Sequence, residues 1–198
     1  MTDPMQIEIN AEAWRAEPGP ILLLAGPGTG KTQQLALRIK YLVEDKHVSP
    51  DAITVITFTK EAAQNMRRRI ADEEKPDVYL PIEARPERIM TMHSLGLEIV
   101  RAHADLLGMP QRFRVLTESR LRPLLFRDAA LIAGYGEEEA AESNRLRQNS
   151  AKLPSGSPIE KITKGYESIL RACGSIDYDD QILLASHLLS EKGEIQAK

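Results

Sequence analysis

A chain of 198 residues, 42% hydrophobic and 28% charged, has an ordinary soluble globular composition and is long enough for one core or for a domain with a subdomain. Its net charge of −3 gives no global basic field toward nucleic acid, and its one cysteine, Cys173, excludes an internal disulfide framework and suits a reducing cytoplasm. No run approaches the ~20 apolar residues of a membrane span. Residues 1–10 are acidic and lack an apolar signal core, so the chain reads as cytoplasmic, with no membrane partner.

Residues 1–20 are polar and close on Pro18-Gly19-Pro20, a turn signal. The wholly apolar run 21–24 predicts a strand buried on both faces. A glycine-rich loop follows, and then a helix over 32–44, with Leu35, Ile39, Leu42 and Val43 at helical spacing. Residues 53–58 are β-branched and predict a second buried strand. Residues 59–72 predict a helix with Ala62, Ala63, Met66 and Ile70 on one face. After the proline-bearing loop 76–86 come a third strand at 89–92 and a helix over 94–107, with Leu97, Val100, Ala104 and Leu107 aligned. This alternation implies a parallel α/β sheet. Beyond Gly108 the pattern turns helical, over 117–133, 137–149 and 159–172, with no convincing strand between the first two. A last amphipathic helix over 177–189 has Ile182, Leu183, Ser186 and Leu189 facing inward, and 191–198 reads as a fraying end.

The segment Ala25-Gly26-Pro27-Gly28-Thr29-Gly30-Lys31-Thr32 matches the phosphate-loop pattern except for alanine in place of the first glycine. Gly28 and Gly30 let successive backbone N–H groups converge on one anion, and the helix that follows presents its positive end to the phosphates. Lys31 supplies a point charge for the β- and γ-phosphates, and the Thr32 hydroxyl a ligand for Mg²⁺. These residues imply binding of ATP or a similar nucleotide, with Lys31 and Thr32 as the catalytic pair. Hydrolysis also needs an acid at the end of a strand. None follows 89–92, and Asp179 and Asp180 read as helix-capping and first-turn acids. Arg67–Arg69 reads as a solvated helix face, with a phosphate contact as the alternative.

Four segments resemble the N-terminal part of UvrD/Rep/PcrA-type superfamily 1 DNA helicases. Residues 22–32 resemble motif I, and 56–70 (Ile-Thr-Phe-Thr-Lys-Glu-Ala-Ala-Gln-Asn-Met-Arg-Arg-Arg-Ile) motif Ia. Residues 90–96 (Met-Thr-Met-His-Ser-Leu-Gly) resemble motif Ib, and Ile176-Asp177-Tyr178-Asp179-Asp180 the helix start that precedes motif II. The resemblance implies a RecA-like P-loop NTPase sheet, incomplete here, with an inserted or appended helical subdomain. Residues 1–110 would be the first part of domain 1A, 111–172 subdomain 1B, and 173–198 a return to 1A ending before motif II. It further implies a 3'→5' ATP-dependent helicase or translocase of the DNA-repair type, acting on single-stranded DNA and on single/double-strand junctions. A nucleotide- and DNA-binding module without turnover is the alternative. ATP and Mg²⁺ would be the cofactors, held by Ala25, Gly26, Pro27, Gly28, Thr29, Gly30, Lys31, Thr32 and Gln33. Phe58, Thr59, Thr91, His93 and Ser94 would line the DNA track, and Phe58 can stack on a base without regard to sequence. Arg112, Arg114, Arg120, Arg122 and Arg127 make the start of 1B basic, which suits backbone contact or a solvated surface equally.

Two positions depart from the family pattern. Residues 9–16 align with the segment that carries an adenine-reading glutamine, but Ala13 stands in its place, and Gln33 stands where the family often has arginine. Phosphate binding is expected to survive these changes, and discrimination between ATP and GTP to be poor.

Overall fold

A computed structural model describes residues 12–17, 19–26, 28–118, 120–148 and 153–191, and the side chains of all of these but residue 148. The expectations for residues 1–11, Pro18, Pro27, residue 149 and 192–198 lie outside the described residues. The structure divides into two compact units, residues 1–91 and 92–198.

In the first unit, helix α1 (Lys31–Glu44) follows the glycine loop, strand β1 (Thr54–Thr57) leads into helix α2 (Lys60–Ile70), and strand β2 (Arg88–Thr91) closes the unit. The two strands pair in parallel, Thr54 with Arg88 through Thr57 with Thr91, as the alternation implied. The Thr59 hydroxyl caps α2 by accepting from Ala62 N at 3.1 Å. The α2 residues Ala63, Met66 and Ile70 then pack with Ile39, Val55, Leu80 and Ile89 in one buried cluster, whereas Ala62 is exposed.

The expected strand at 21–24 does not form. Ile21 is 47% exposed, Leu22 62% and Leu24 65%, and no ladder joins this run to the sheet, whose order is β1-β2 alone. An apolar run satisfies its backbone as a strand only beside another strand, and none of the described residues pairs with it. Burial of β1 on both faces fails for a related reason. Val55 is buried under α2, but Thr54 and Ile56 on the opposite face are exposed.

In the second unit, α3 (Met92–Ala102) packs closely against α7 (Asp180–Glu191). Between them in sequence come β3 (Arg114–Val115), α4 (Leu121–Ile132), α5 (Glu137–Gln148), α6 (Pro158–Ala172) and β4 (Ser175–Ile176). Helices α4, α5 and α6 pack on one another around Phe126, Ala130, Ala140, Ile162 and Tyr166, with the rings of Phe126 and Tyr166 stacked at 4.1 Å. The sequence showed neither β3 nor β4. They pair in parallel, Arg114 with Ser175 and Val115 with Ile176, so the three-helix segment leaves from one strand and returns to its neighbour. In α7 the buried residues are Asp180, Gln181, Ala185 and Leu188, while Ser186 is exposed. The inward face thus sits one position away from the expected one, because it is the face that packs against α3.

Candidate functional site

The glycine loop sets its own geometry. Gly28 and Gly30 have φ of 75° and 86°, the left-handed region that glycine enters without a Cβ penalty. The Thr29 hydroxyl donates to the Gly26 carbonyl at 2.8 Å. Lys31 Nζ folds back over the loop and donates to the carbonyls of Ala25 (2.9 Å) and Gly26 (2.6 Å). Helix α1 begins at Lys31, one residue before the expected start, so Thr32 lies in its first turn. No side chain caps this end. The first N–H groups of α1 are therefore turned toward the loop with no side-chain acceptor, which fits an anionic ligand. Pro27 lies outside the described residues.

Gln33 is held by a partner the sequence did not suggest. Arg69 Nη1, from the last turn of α2, donates to Gln33 Oε1 at 2.6 Å. The arginine run therefore divides: Arg67 and Arg68 are exposed, while Arg69 is half-buried and ties α2 to the start of α1. An apolar groove of about 410 Å³ opens beside Lys31, lined among others by Trp14, Ile21, Leu23, Leu35 and Arg38. Trp14 meets Tyr41 edge-on at 5.8 Å, under the Arg15 guanidinium at 4.4 Å. Ala13 opens the 3-10 turn that carries Trp14 to the groove.

The DNA-track candidates fall into different environments. Phe58 directly follows β1 and is fully exposed, at 101%. A phenylalanine held wholly in water contributes nothing to the core. Thr59 already spends an acceptor on the cap of α2, which leaves its O–H free to donate. Thr91 ends β2 in register with Thr57 and is buried. In the second unit, Ser94 is half-buried in the first turn of α3, and the His93 ring stacks on Tyr178 at 4.0 Å, 17° from parallel. Tyr178, unassigned from sequence, is 51% exposed. Its aromatic character two residues after Ile176 was the only available signal.

The acids around Tyr178 are structural. Asp177 Oδ1 accepts from Asp180 N and Asp180 Oδ2 from Asp177 N, a reciprocal cap at the head of α7 that uses Asp180 as expected but Asp177 in place of Asp179. Arg147 of α5 binds Asp180, Glu167 (2.7 Å) and, at 3.6 Å, Asp177. Arg122 of α4 binds Asp179 and Asn144, and Tyr166 donates to Asp177 at 2.8 Å. Arg122 is thus a half-buried tie rather than part of a basic surface. Burial, added to the charge of Asp177 and opposed by Arg147, pushes the Asp180 carboxyl up to about 6. No group of three or more potential metal ligands occurs among the described residues, and none of their helices is long and apolar enough to cross a membrane.

A glycine loop at the head of a helix and short parallel strand pairs make this a mixed α/β protein. The family model for the UvrD/REP helicase N-terminal domain matches residues 8–138, more than half of the chain, and the chain belongs to that family. It is 31% identical over 204 residues to the ATP-dependent DNA helicase PcrA of Leuconostoc citreum, covering 95% of this chain and 26% of that protein. It is 30% identical over 196 residues to the ATP-dependent DNA helicase Rep of Escherichia coli K12, covering 91% and 28%. A Rep helicase from Buchnera aphidicola is 32% identical over 183 residues, covering 87% and 27%. The chain spans about a quarter of the length of these relatives.

Proposed function

We propose that the chain is the ATP- and single-stranded-DNA-binding N-terminal portion of a 3'→5' ATP-dependent DNA helicase of the UvrD/Rep type. The observation that carries this reading is the glycine loop at the uncapped start of α1, with the Lys31 ammonium folded over it. Residues 25–33 hold the nucleotide. Lys31, now on its loop carbonyls, would turn to the phosphates, and Thr32 would hold Mg²⁺ through its hydroxyl. The ion supplies charge neutralisation on the phosphates. Residues 1–110 form the first part of a RecA-like domain 1A, 111–172 an inserted helical subdomain 1B, and 173–198 re-enter 1A. The side-by-side pairing of β3 with β4 supports the insertion. Relatives named as ATP-dependent DNA helicases support the activity of the full-length protein, and a cytoplasmic location follows with it.

Phe58 and Thr59, at the C-terminal end of β1, provide one part of a DNA track. Thr91 at the end of β2 belongs with them in the first unit, and in the second unit His93 and Ser94 provide another part, to which the exposed face of Tyr178 adds a stacking surface. Single strands and their junctions with duplex are the expected ligands. Replacing Phe58 by alanine removes one base stack, worth ~1–3 kcal/mol. Oligothymidylate binding followed by anisotropy should weaken by about tenfold, with no change in the far-UV circular dichroism of so exposed a site. Unchanged affinity would remove Phe58 from the track.

A second reading, a nucleotide- and DNA-binding module without turnover, is favoured for this chain by the commitment of Asp177, Asp179 and Asp180 to arginines and caps. Those acids are not free to hold Mg²⁺ or to activate water. The purified 198-residue chain is therefore expected to show no DNA-stimulated ATP hydrolysis. Steady-state phosphate release above background, lost on Lys31→Ala, would contradict this.

A further inference from the structure

The first unit carries an arginine-rimmed groove that neither the nucleotide loop nor the DNA candidates use. It has a volume of about 490 Å³, with Ile70, Ile82 and Ile89 among its apolar lining and Arg67, Arg68 and Arg85 around it. Ile82, in the 3-10 turn Ile82–Ala84, is 78% exposed. The one acid in the lining is Glu87. Arg67 and Arg68 make no side-chain hydrogen bond or ion pair with any described residue. Arg85 donates to the Leu80 carbonyl at 2.7 Å and lies over the Tyr79 ring, without a carboxylate partner among the described residues.

Three guanidinium groups without carboxylate partners around an exposed aliphatic side chain are more than a solvated helix end needs. Arginine at the last turn of α2 does complement the helix dipole. That accounts for neither Arg85, which lies on the loop before β2, nor an exposed isoleucine in the same lining. Exposed apolar surface with a polar rim marks docking sites, and unpaired arginine is the side chain best suited to receive carboxylates in pairs.

Position and lining decide what docks. Helix α2 starts beside Phe58 and runs back past the sheet, so its last turn lies roughly 15 Å from the Phe58 end. Arg85 and Ile89 lie around the start of β2, at that same far end. No aromatic ring lines the groove, so bases would find no surface to stack on. We infer that this groove docks an acidic peptide segment of a partner protein, anchored by an aliphatic side chain against Ile82 and paired through its carboxylates with Arg67, Arg68 and Arg85.

The test uses the 198-residue chain and a short fluorescein-labelled peptide of Asp and Glu carrying two leucines, with a serine-for-leucine version alongside. The leucine peptide should bind in a salt-sensitive manner and more tightly than the serine one. The double variant Arg67→Glu/Arg68→Glu should weaken it by about tenfold or more, and Ile82→Ser should bring the two peptides to equal affinity. Both variants alter exposed side chains, so far-UV circular dichroism should be unchanged. Unlabelled oligothymidylate should leave the bound peptide in place. Absence of peptide binding, equal binding by the arginine variant, or displacement by oligothymidylate would each overturn the inference. The last of these outcomes would assign the groove to nucleic acid.

Discussion

Replacing Arg147 with alanine should strip protection from the second unit, costing ~3–5 kcal/mol against a total stability of ~5–15 kcal/mol. Arg147 is 6% exposed along its side chain and neutralises Asp180, Glu167 and Asp177 at once. Its removal leaves Asp177, 3% exposed, close to Asp180 with only Arg122 near enough to compensate. The cost comes from stranding buried carboxylates, not from losing three favourable contacts, because a buried ion pair roughly breaks even against an apolar replacement. The control is Arg145→Ala, two residues away. Arg145 pairs with Glu142 but is 62% exposed, so water replaces what it loses and no measurable change is expected. Hydrogen exchange is the suitable readout, since it reports the amides of α4 to α7 separately from those of the first unit. Equal protection in the two variants would show that the cluster does not hold these helices together.

A methyl group should have opposite effects at two helical glycines of this unit, Gly96, which is buried, and Gly165, which is half-buried. A Cβ on Gly96 of α3 would overlap the Gln181 carbonyl oxygen of α7 and lie 2.9 Å from its carbon. Those atoms are helix backbone and yield only if α7 moves as a body, so Gly96→Ala should destabilise by ~1–3 kcal/mol or more. At Gly165 of α6 the nearest neighbour is the Ala129 Cβ at 3.4 Å, the edge of ordinary contact. There the better helix propensity of alanine, worth up to ~1 kcal/mol, should hold stability level or raise it. Urea midpoints followed by circular dichroism should separate the two substitutions in sign. A neutral Gly96→Ala would mean that α3 and α7 do not pack as closely as described.

These two predictions rest on features the sequence did not reveal. Arg147 and Asp180 are 33 positions apart, and no periodicity links them. Gly96 stood out only as part of a motif, although its role in the fold is to let two helices touch. Helix faces were legible where apolar spacing was regular, as for Ala63, Met66 and Ile70, and so was the parallel pairing of β1 with β2. The strands β3 and β4 are two residues each, too short to leave a pattern. The run 21–24 misled for the opposite reason: its composition is that of a buried strand, but composition does not supply the neighbour that a strand needs. In the candidate site, the glycine loop leading directly into a helix was readable from spacing, with the helix start one residue off. The tie between Arg69 and Gln33 and the stacking of His93 on Tyr178 were not, since each joins residues from separate helices or turns.

The phosphate loop carries the whole functional assignment of the chain. Trp14 is the only tryptophan in the chain and lines the groove beside Lys31, so its emission, or energy transfer from it to a fluorescent ATP analogue, reports binding directly. With Mg²⁺ present, the wild-type chain should bind the analogue saturably. Lys31→Ala should bind at least about a hundredfold more weakly, a loss of ~2.7 kcal/mol. Equal affinity in the two proteins, or no binding by the wild type, would contradict the assignment of this loop as the nucleotide site.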